Sequence, residues 1–262
     1  MTNKVTGTVG TRGEASANML NLGLNTYPGR GIVVGLDQTK RFMVQIYWIM
    51  GRSENSRNRV FSHDGTGRVF TEAADPAKVK DPSLIIYNAM RDLFFNGQQY
   101  LSVVSNGAQT DSVVKTLHCS RGDNLKVNLE PWSYEPDKPN YTQRITAAGM
   151  WMKYMDGDFP LFQISILRKS FWSDKCDRNL YEICGVDAGF GYCVTTYTGD
   201  GDPLPAFRGE PYLMPLAGDI EIISNDYWAM LNPDNKVSLA VKFIPKEGPV
   251  KVLIRNKYTK VA

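Results

Sequence analysis

Tyr27-Pro28-Gly29-Arg30-Gly31-Ile32-Val33-Val34-Gly35, a turn at Asp37–Lys40, then Arg41-Phe42-Met43-Val44-Gln45-Ile46-Tyr47-Trp48-Ile49-Met50: reading this stretch decides the fold. The first run is a short strand opened by Gly29 and closed by Gly35. The second is a longer strand. Side chains alternate across a strand, so Phe42, Val44, Ile46, Trp48 and Met50 share one face, and Met43, Tyr47 and Ile49 share the other, where only Gln45 is polar. A strand apolar on both faces belongs inside a sheet that is covered on both sides. At its end the character flips. Gly51-Arg52-Ser53-Glu54-Asn55-Ser56-Arg57-Asn58-Arg59 carries three guanidiniums and one carboxylate. A buried hairpin that ends in such a loop is expected to clamp an anion, because guanidinium forks match phosphate oxygens. The plainer reading is a solvated basic loop at a strand end.

Working outward, residues 1–26 are expected to be a flexible or loosely packed extension, followed by a single domain over 27–262. Asn96-Gly97, flanked by Leu93-Phe94-Phe95 and Tyr100-Leu101-Ser102-Val103-Val104, signals a second hairpin with Tyr87, Asn88 and Arg91 on its first strand. Its second strand ends in Ser105-Asn106-Gly107-Ala108-Gln109-Thr110-Asp111. Ser112–Cys119 is then expected to be helical, with Thr110 or Asp111 as N-cap and Gly122 past its end. A strand, a glycine turn and a capped helix bring backbone N–H groups together, which suits an anion or a polarised oxygen; a simple cap is the alternative. Asn124–Pro131 is a further helical piece, leading to Trp132-Ser133-Tyr134-Glu135-Pro136-Asp137 and Asn140–Ala147, where Glu135 could be surface polarity and Arg144 half of a structural ion pair. Leu161–Phe171, Tyr181–Thr198, Ile220–Tyr227, Val237–Ile244 and Val250–Arg255 all have the composition of strands. The expected class is α+β, with antiparallel sheets packed face to face and helices outside.

Composition narrows function mainly by exclusion. The 262 residues are 42% hydrophobic and 22% charged, an ordinary globular balance. A net charge of +3 argues for neither nucleic acid nor a membrane surface as partner. No apolar run is long enough to span a bilayer, and Met1–Asn18 lacks the apolar core of a secretory signal. Cys119, Cys176, Cys184 and Cys193 have no Cys-x-x-Cys spacing, which fits reduced thiols and a cytoplasmic location. The two histidines, His63 and His118, have no ligand-like neighbours at metal spacing, so no metal is expected.

The ordered set Tyr27-x-Gly29-Arg30, Gly35, Tyr47, Arg52-Ser53 to Asn58-Arg59, Tyr87-Asn88-x-x-Arg91, Ser105-Asn106-Gly107-x-x-Thr110-Asp111 and Tyr134-Glu135-x-Asp137 to Arg144-Ile145 resembles the archaeal-type inosine monophosphate (IMP) cyclohydrolases. The match runs from Tyr27 to about Ala148, with none found beyond Met150. The resemblance implies a four-layer αββα sandwich like the N-terminal nucleophile hydrolase fold. It implies closure of 5-formamidoimidazole-4-carboxamide ribotide to IMP with loss of water, the last step of purine synthesis, with no cofactor and no metal. Hydrolases of that fold attack with a Ser, Thr or Cys at a processed N-terminus; here Gly29-Arg30-Gly31 lies behind an extension and supplies none. A homo-oligomer is also expected.

The reaction joins a weakly nucleophilic carboxamide nitrogen to a formyl carbon. It needs near-attack positioning, a base, a polarised oxygen and an anchor for the 5′-phosphate. On that requirement, Arg30, Arg52, Arg57 and Arg59 hold phosphate or polarise oxygens. The arginine loop is about two residues longer than the family spacing, so Arg57 and Arg59 compete for one role. Asn106 and the backbone at Gly107 orient the carboxamide or formyl group. Tyr47, Tyr87 or Tyr134 donates to the formyl oxygen, and Asp111 or Glu135 is the base. Asn88, Thr110 and Arg144 complete the set of substrate-binding residues. Two rival functions remain: an amide hydrolase or acyl-transfer enzyme with Cys119, Cys184 or Cys193 as nucleophile, and a non-catalytic purine-nucleotide-binding protein.

Overall fold

The structure is a computed structural model. It describes the backbone of residues 5–79, 81–83, 85–95, 98–115, 123–154 and 157–260, and the side chains of 11–79, 81–83, 85–94, 100–115, 125–152 and 158–260. In chain order the elements are α1 (Val5–Leu24), β1 (Gly31–Leu36), β2 (Phe42–Met50), α2 (Glu54–Arg57), β3 (Val60–His63), β4 (Val69–Glu72), β5 (Asn88–Phe95), β6 (Gln98–Ser105), α3 (Gln109–Lys115), α4 (Asp123–Asn128), β7 (Arg144–Tyr154), β8 (Gly157–Lys169), β9 (Cys176–Cys184), β10 (Phe190–Thr195), β11 (Tyr212–Pro215), α5 (Ile220–Met230), β12 (Lys236–Pro245) and β13 (Lys251–Asn256). They build two antiparallel sheets, β11-β10-β1-β2-β12-β13 and β3-β4-β5-β6-β7-β8-β9. The class is α+β with few helices, as the alternating patterns predict.

The quoted hairpin lies inside the first sheet. β2 pairs with β1 on one side and β12 on the other, with Val33 opposite Ile46 and Val241 opposite Ile46. Its two faces divide as the alternation requires. Met43, Tyr47 and Ile49 pack with Phe61, Val104, Ile145, Ala147, Phe162 and Ile164 of the second sheet, in the space between the sheets. Val44, Ile46, Trp48 and Met50 pack on the opposite face with Leu22 of α1 and Ile223 and Tyr227 of α5. The second sheet divides the same way, with Leu101, Val103, Ala148 and Met150 meeting Val113 and Val114 of α3 and Leu125 of α4. Burying both faces of each sheet removes most of the apolar surface from water, at roughly 25 cal/mol per Å². Gln45, the polar exception, is fully buried and donates from Nε2 to the Ser102 carbonyl across the inter-sheet space (3.0 Å).

Three expectations are corrected. Residues 5–24 form a helix, and α1 packs on β11 and α5 with Ala15 and Leu22 buried, so the N-terminal segment is not loosely packed there. Ile220–Tyr227 is helix α5, not strand. Asp219 caps it by accepting the Ile222 N–H, and Ile223 and Tyr227, four apart, share its buried face. β-Branched composition is a weaker guide than the cap and the period. Finally, α3 begins at Gln109, so Thr110 and Asp111 sit in its first turn rather than at its cap. The second hairpin is present, with Phe95 opposite Gln98. Its Asn96-Gly97 turn, His118, Cys119 and Gly122 lie outside the described residues. No helix among the described residues is long and apolar enough to cross a membrane.

Candidate functional site

Where β2 runs out, the loop to β3 folds back over the entrance to β1 and borders a cavity of about 350 Å³. The loop is locally specified. Ser53 and Ser56 form a reciprocal capping box around α2, which gives the arginines fixed directions. Arg57 turns away from the cavity, donating from Nε to the Gly51 carbonyl (2.9 Å). Arg59 turns into it, only 4% exposed, with Nε bonded to the Ser56 carbonyl (3.0 Å). The terminal nitrogens of Arg59 have no hydrogen-bond acceptor among the described residues. Arg52 lies at the rim, bonded to Asp200 and to the Gly201 carbonyl, with its guanidinium over the Tyr27 ring at 5.0 Å.

Arg30 forms the inner wall. Gly29 precedes it with φ +72°, a conformation glycine adopts freely, and a side chain there would meet Thr196 and the Tyr197 ring. Arg30 makes a two-pronged pair with Glu135 (2.9 and 2.8 Å) and a further bond to the Asn106 carbonyl (3.1 Å). Burial, the largest single influence, opposes its charge, but Glu135 together with Tyr87 and Tyr47 more than offsets it and holds the guanidinium well above its ordinary range. Arg144 approaches the same carboxylate at 3.7 Å and lies over the Trp132 ring. Burial lowers its pKa against the pull of Glu135, with Arg30 adding repulsion.

The remaining candidates fall into two places. Tyr47 and Tyr87 lie in the inter-sheet core, joined hydroxyl to hydroxyl at 2.7 Å. Burial, then Tyr87, pushes the Tyr47 phenol well above its usual value. The Asn106 side chain is spent inside the protein, accepting from Ile145 N–H and Gln109 and donating to the Gln143 carbonyl. Gly107 lies against Arg144 and Gln109, and Thr110 bonds Ser105 and the Gly107 carbonyl. Asp111 pairs with Arg91 (2.7 Å) and Asn88 on the outer side of the second sheet, and Tyr134 donates to the Asp174 carbonyl. Thus the structure brings Arg30, Arg52, Arg59 and Glu135 to one cavity. Asp111, Tyr47, Tyr87, Tyr134, Arg57, Asn88, Gly107, Thr110, Asn106 and Arg144 do not line it, though Asn106 and Arg144 touch the residues that do.

Several lining residues had no role assigned from sequence: Tyr27, Asn55, Asp137, Asn140, Thr142 and Tyr197. Asp137 and Tyr27 stand within the motif runs and were within reach of a residue-by-residue reading. Tyr197 carries no local signal; it reaches the cavity because β10 pairs with β1, with Thr195 opposite Gly31. Cys193 is fully buried, donates to the Tyr212 hydroxyl, and is pushed by burial up to about 12. A thiol so held stays protonated and is a poor nucleophile.

The family comparison fits this arrangement. The sequence model of the IMP cyclohydrolase-like protein family matches residues 27–248. The chain belongs to that family. The match starts just after α1 and continues through β12, so the family pattern extends well past Met150, where motif reading lost it. Strands β10 and β12 are near-continuous buried runs, which carry few polar motif residues to recognise. No curated protein and no solved structure matches the chain.

Proposed function

We propose that this member of the IMP cyclohydrolase-like family closes 5-formamidoimidazole-4-carboxamide ribotide to IMP with loss of water, using no cofactor, on a four-layer αββα scaffold of the N-terminal nucleophile hydrolase kind. One observation carries the reading: Arg59, nearly buried in the cavity, keeps its terminal N–H groups without an acceptor among the described residues. A guanidinium set into a cavity wall with its terminal nitrogens open to the cavity is placed to meet an anion, and a ribotide 5′-phosphate is such an anion. The cavity volume falls in the range of small-molecule sites, roughly 300–1,000 Å³.

Phosphate binds at Arg59, with Arg52 at the rim. Arg30 lies at the other side of the cavity, held in place by Glu135 and Asn106. Three of its five N–H donors are engaged by those partners; the others serve the formyl oxygen as negative charge develops there. Glu135 therefore acts as the holder of Arg30 rather than as a base. The raised pKa of Cys193 speaks against a thiol-based acyl-transfer mechanism through that residue.

The test is a spectrophotometric assay of purified, chelator-treated protein with the formamido ribotide, with calorimetric binding measured beside it. Saturable formation of IMP is the expected result. Binding without turnover would replace the enzyme by a non-catalytic nucleotide-binding protein, and neither binding nor turnover would refute the proposal.

A further inference from the structure

Besides the arginines, the cavity is lined by Tyr197, Thr142 and Asp137, and these three are linked in series. Thr142 Oγ1 is hydrogen-bonded to Asp137 Oδ2 on one side and to the Tyr197 hydroxyl on the other, and Asp137 Oδ1 accepts the Thr142 N–H at 2.6 Å. A threonine hydroxyl has one proton to give, and a carboxylate can only accept. Thr142 therefore donates to Asp137, which obliges Tyr197 to donate to Thr142. With its own proton turned inward, the Tyr197 oxygen offers lone pairs to whatever occupies the cavity. The ordering makes it an acceptor of a proton.

The other carboxylates considered for that task are engaged. Asp111 is tied to Asn88 and Arg91 and does not line the cavity. Both oxygens of Glu135 hold Arg30. Asp137 lines the cavity with no arginine or lysine among its ion-pair partners in the described residues.

We infer that Tyr197 takes the carboxamide proton during ring closure, and that Thr142 and Asp137 are positioning residues that carry its own proton away. The inference rests on the cyclohydrolase reading of the cavity. As the carboxamide nitrogen's electron pair forms the C–N bond, the carbonyl π pair moves onto the formyl oxygen beside Arg30. The N–H proton passes to Tyr197 Oη, the Tyr197 proton to Thr142 Oγ1, and the Thr142 proton to Asp137 Oδ2. The chain then runs in reverse, returning one proton to the formyl oxygen; as the formamido nitrogen gives up its proton, its N–H pair forms the C=N bond, the C–O bond breaks, and the oxygen leaves as water with those two protons. Nothing is oxidised or reduced. Burial lifts the Tyr197 phenol to about 12, so it holds at neutral pH the proton that the relay passes on.

The experiment measures kcat, KM and calorimetric ribotide affinity for wild type, Asp137→Asn, Thr142→Val, Thr142→Ser and Tyr197→Phe, with a thermal melt for each. Asparagine keeps an acceptor for Thr142 but cannot take up the proton. Asp137→Asn and Thr142→Val are expected to lower kcat by about 10²–10⁴-fold, with ribotide affinity unchanged to within about threefold. Thr142→Ser restores the hydroxyl and is expected to recover most of the rate. A merely structural role would move the melting temperature and leave this kcat-against-affinity split and its rescue absent. If wild type forms IMP and Asp137→Asn does so at the same kcat, the relay is overturned and the cyclohydrolase reading stands. Folded Thr142→Ser as slow as Thr142→Val would also overturn it. If wild type forms no IMP, the cyclohydrolase reading fails and takes the relay with it. Should Thr142→Val not fold, Asp137→Asn alone decides.

Discussion

Replacing Arg59 by alanine separates binding from stability in a way the structure allows to be worked out. Among the described residues Arg59 makes one hydrogen bond, Nε to the Ser56 carbonyl at 3.0 Å. Losing it costs about 1 kcal/mol. Against that, the substitution removes a nearly buried charge that has no carboxylate partner among the described residues, which is itself unfavourable. The two effects oppose each other, so stability is expected to change by less than about 1 kcal/mol. Binding has no such compensation. Two charge-assisted bonds to a phosphate are each worth about 1.5–3 kcal/mol, and with Arg52 still at the rim the net loss is about 3–4 kcal/mol. At about 1.4 kcal/mol per tenfold, affinity for the ribotide falls by about 10²–10³-fold. Isothermal titration with the ribotide, paired with urea melts, measures both quantities. Arg57→Ala is the control: Arg57 points to the Gly51 carbonyl and Asn235, away from the cavity, and is expected to bind the ribotide as wild type does. Unchanged affinity in Arg59→Ala, or a loss in Arg57→Ala as large as in Arg59→Ala, would refute the assignment.

Arg30→Met leaves Glu135 buried with Arg144 at 3.7 Å as its one remaining cation among the described residues, and should destabilise the fold by about 3–5 kcal/mol in urea melts; a stable variant would show that the pair is not what holds this wall. Stability should also fall in alkali. Burial raises Cys193 from 9.0 and Tyr197 from 10.0 to about 12, and pushes Tyr47, Tyr212 and Tyr227 well above 10.0. Groups whose folded pKa is raised stabilise fully below the unfolded value and lose that contribution as pH climbs through the folded one. The melting temperature should therefore drop steadily from about pH 9 to 12, with Lys242, lowered by burial, acting in the opposite sense; a flat profile over that range would contradict the burial of these groups. Gly29→Ala puts a Cβ against the Thr196 hydroxyl and the Tyr197 ring at φ +72°, and a loss of about 2 kcal/mol or more is expected in the same melts, with kcat reduced because Tyr197 must move. A variant as stable as wild type would mean that the backbone can relax there.

How much was legible depends on whether information is local. β2 was readable because Phe42, Val44, Ile46, Trp48 and Met50 alternate with Met43, Tyr47 and Ile49, and each face met its own apolar partner. In α5 the signals conflict: Ile220, Ile222 and Ile223 favour a strand by type, while the Asp219 cap and the spacing of Ile223 and Tyr227 dictate a helix. The polar, glycine-rich sequence of α1 is weakly patterned and by itself suggests a loose extension; what holds it is contact with β11 and α5, which no local window contains. In the arginine loop, residue types announced a donor-rich segment but not which guanidinium would turn inward. The Ser53–Ser56 capping box decided that, by setting the direction of the chain between Arg57 and Arg59.

The sequence by itself therefore determined the period of the strands, the two-faced central hairpin, the position of the basic loop and the family pattern from Tyr27. These follow from side-chain alternation, turn chemistry and residues close along the chain. Tertiary structure alone decided the composition of the cavity. Arg30 and Glu135 meet across 105 positions, and Thr142 and Tyr197 across 55, because antiparallel pairing of β10 with β1 and the packing of the two sheets bring distant strand ends together. Whether a carboxylate is a base, a holder of an arginine or an outer ion pair depends on which partner burial places beside it. That is a property of three-dimensional neighbours, not of the residue or its spacing.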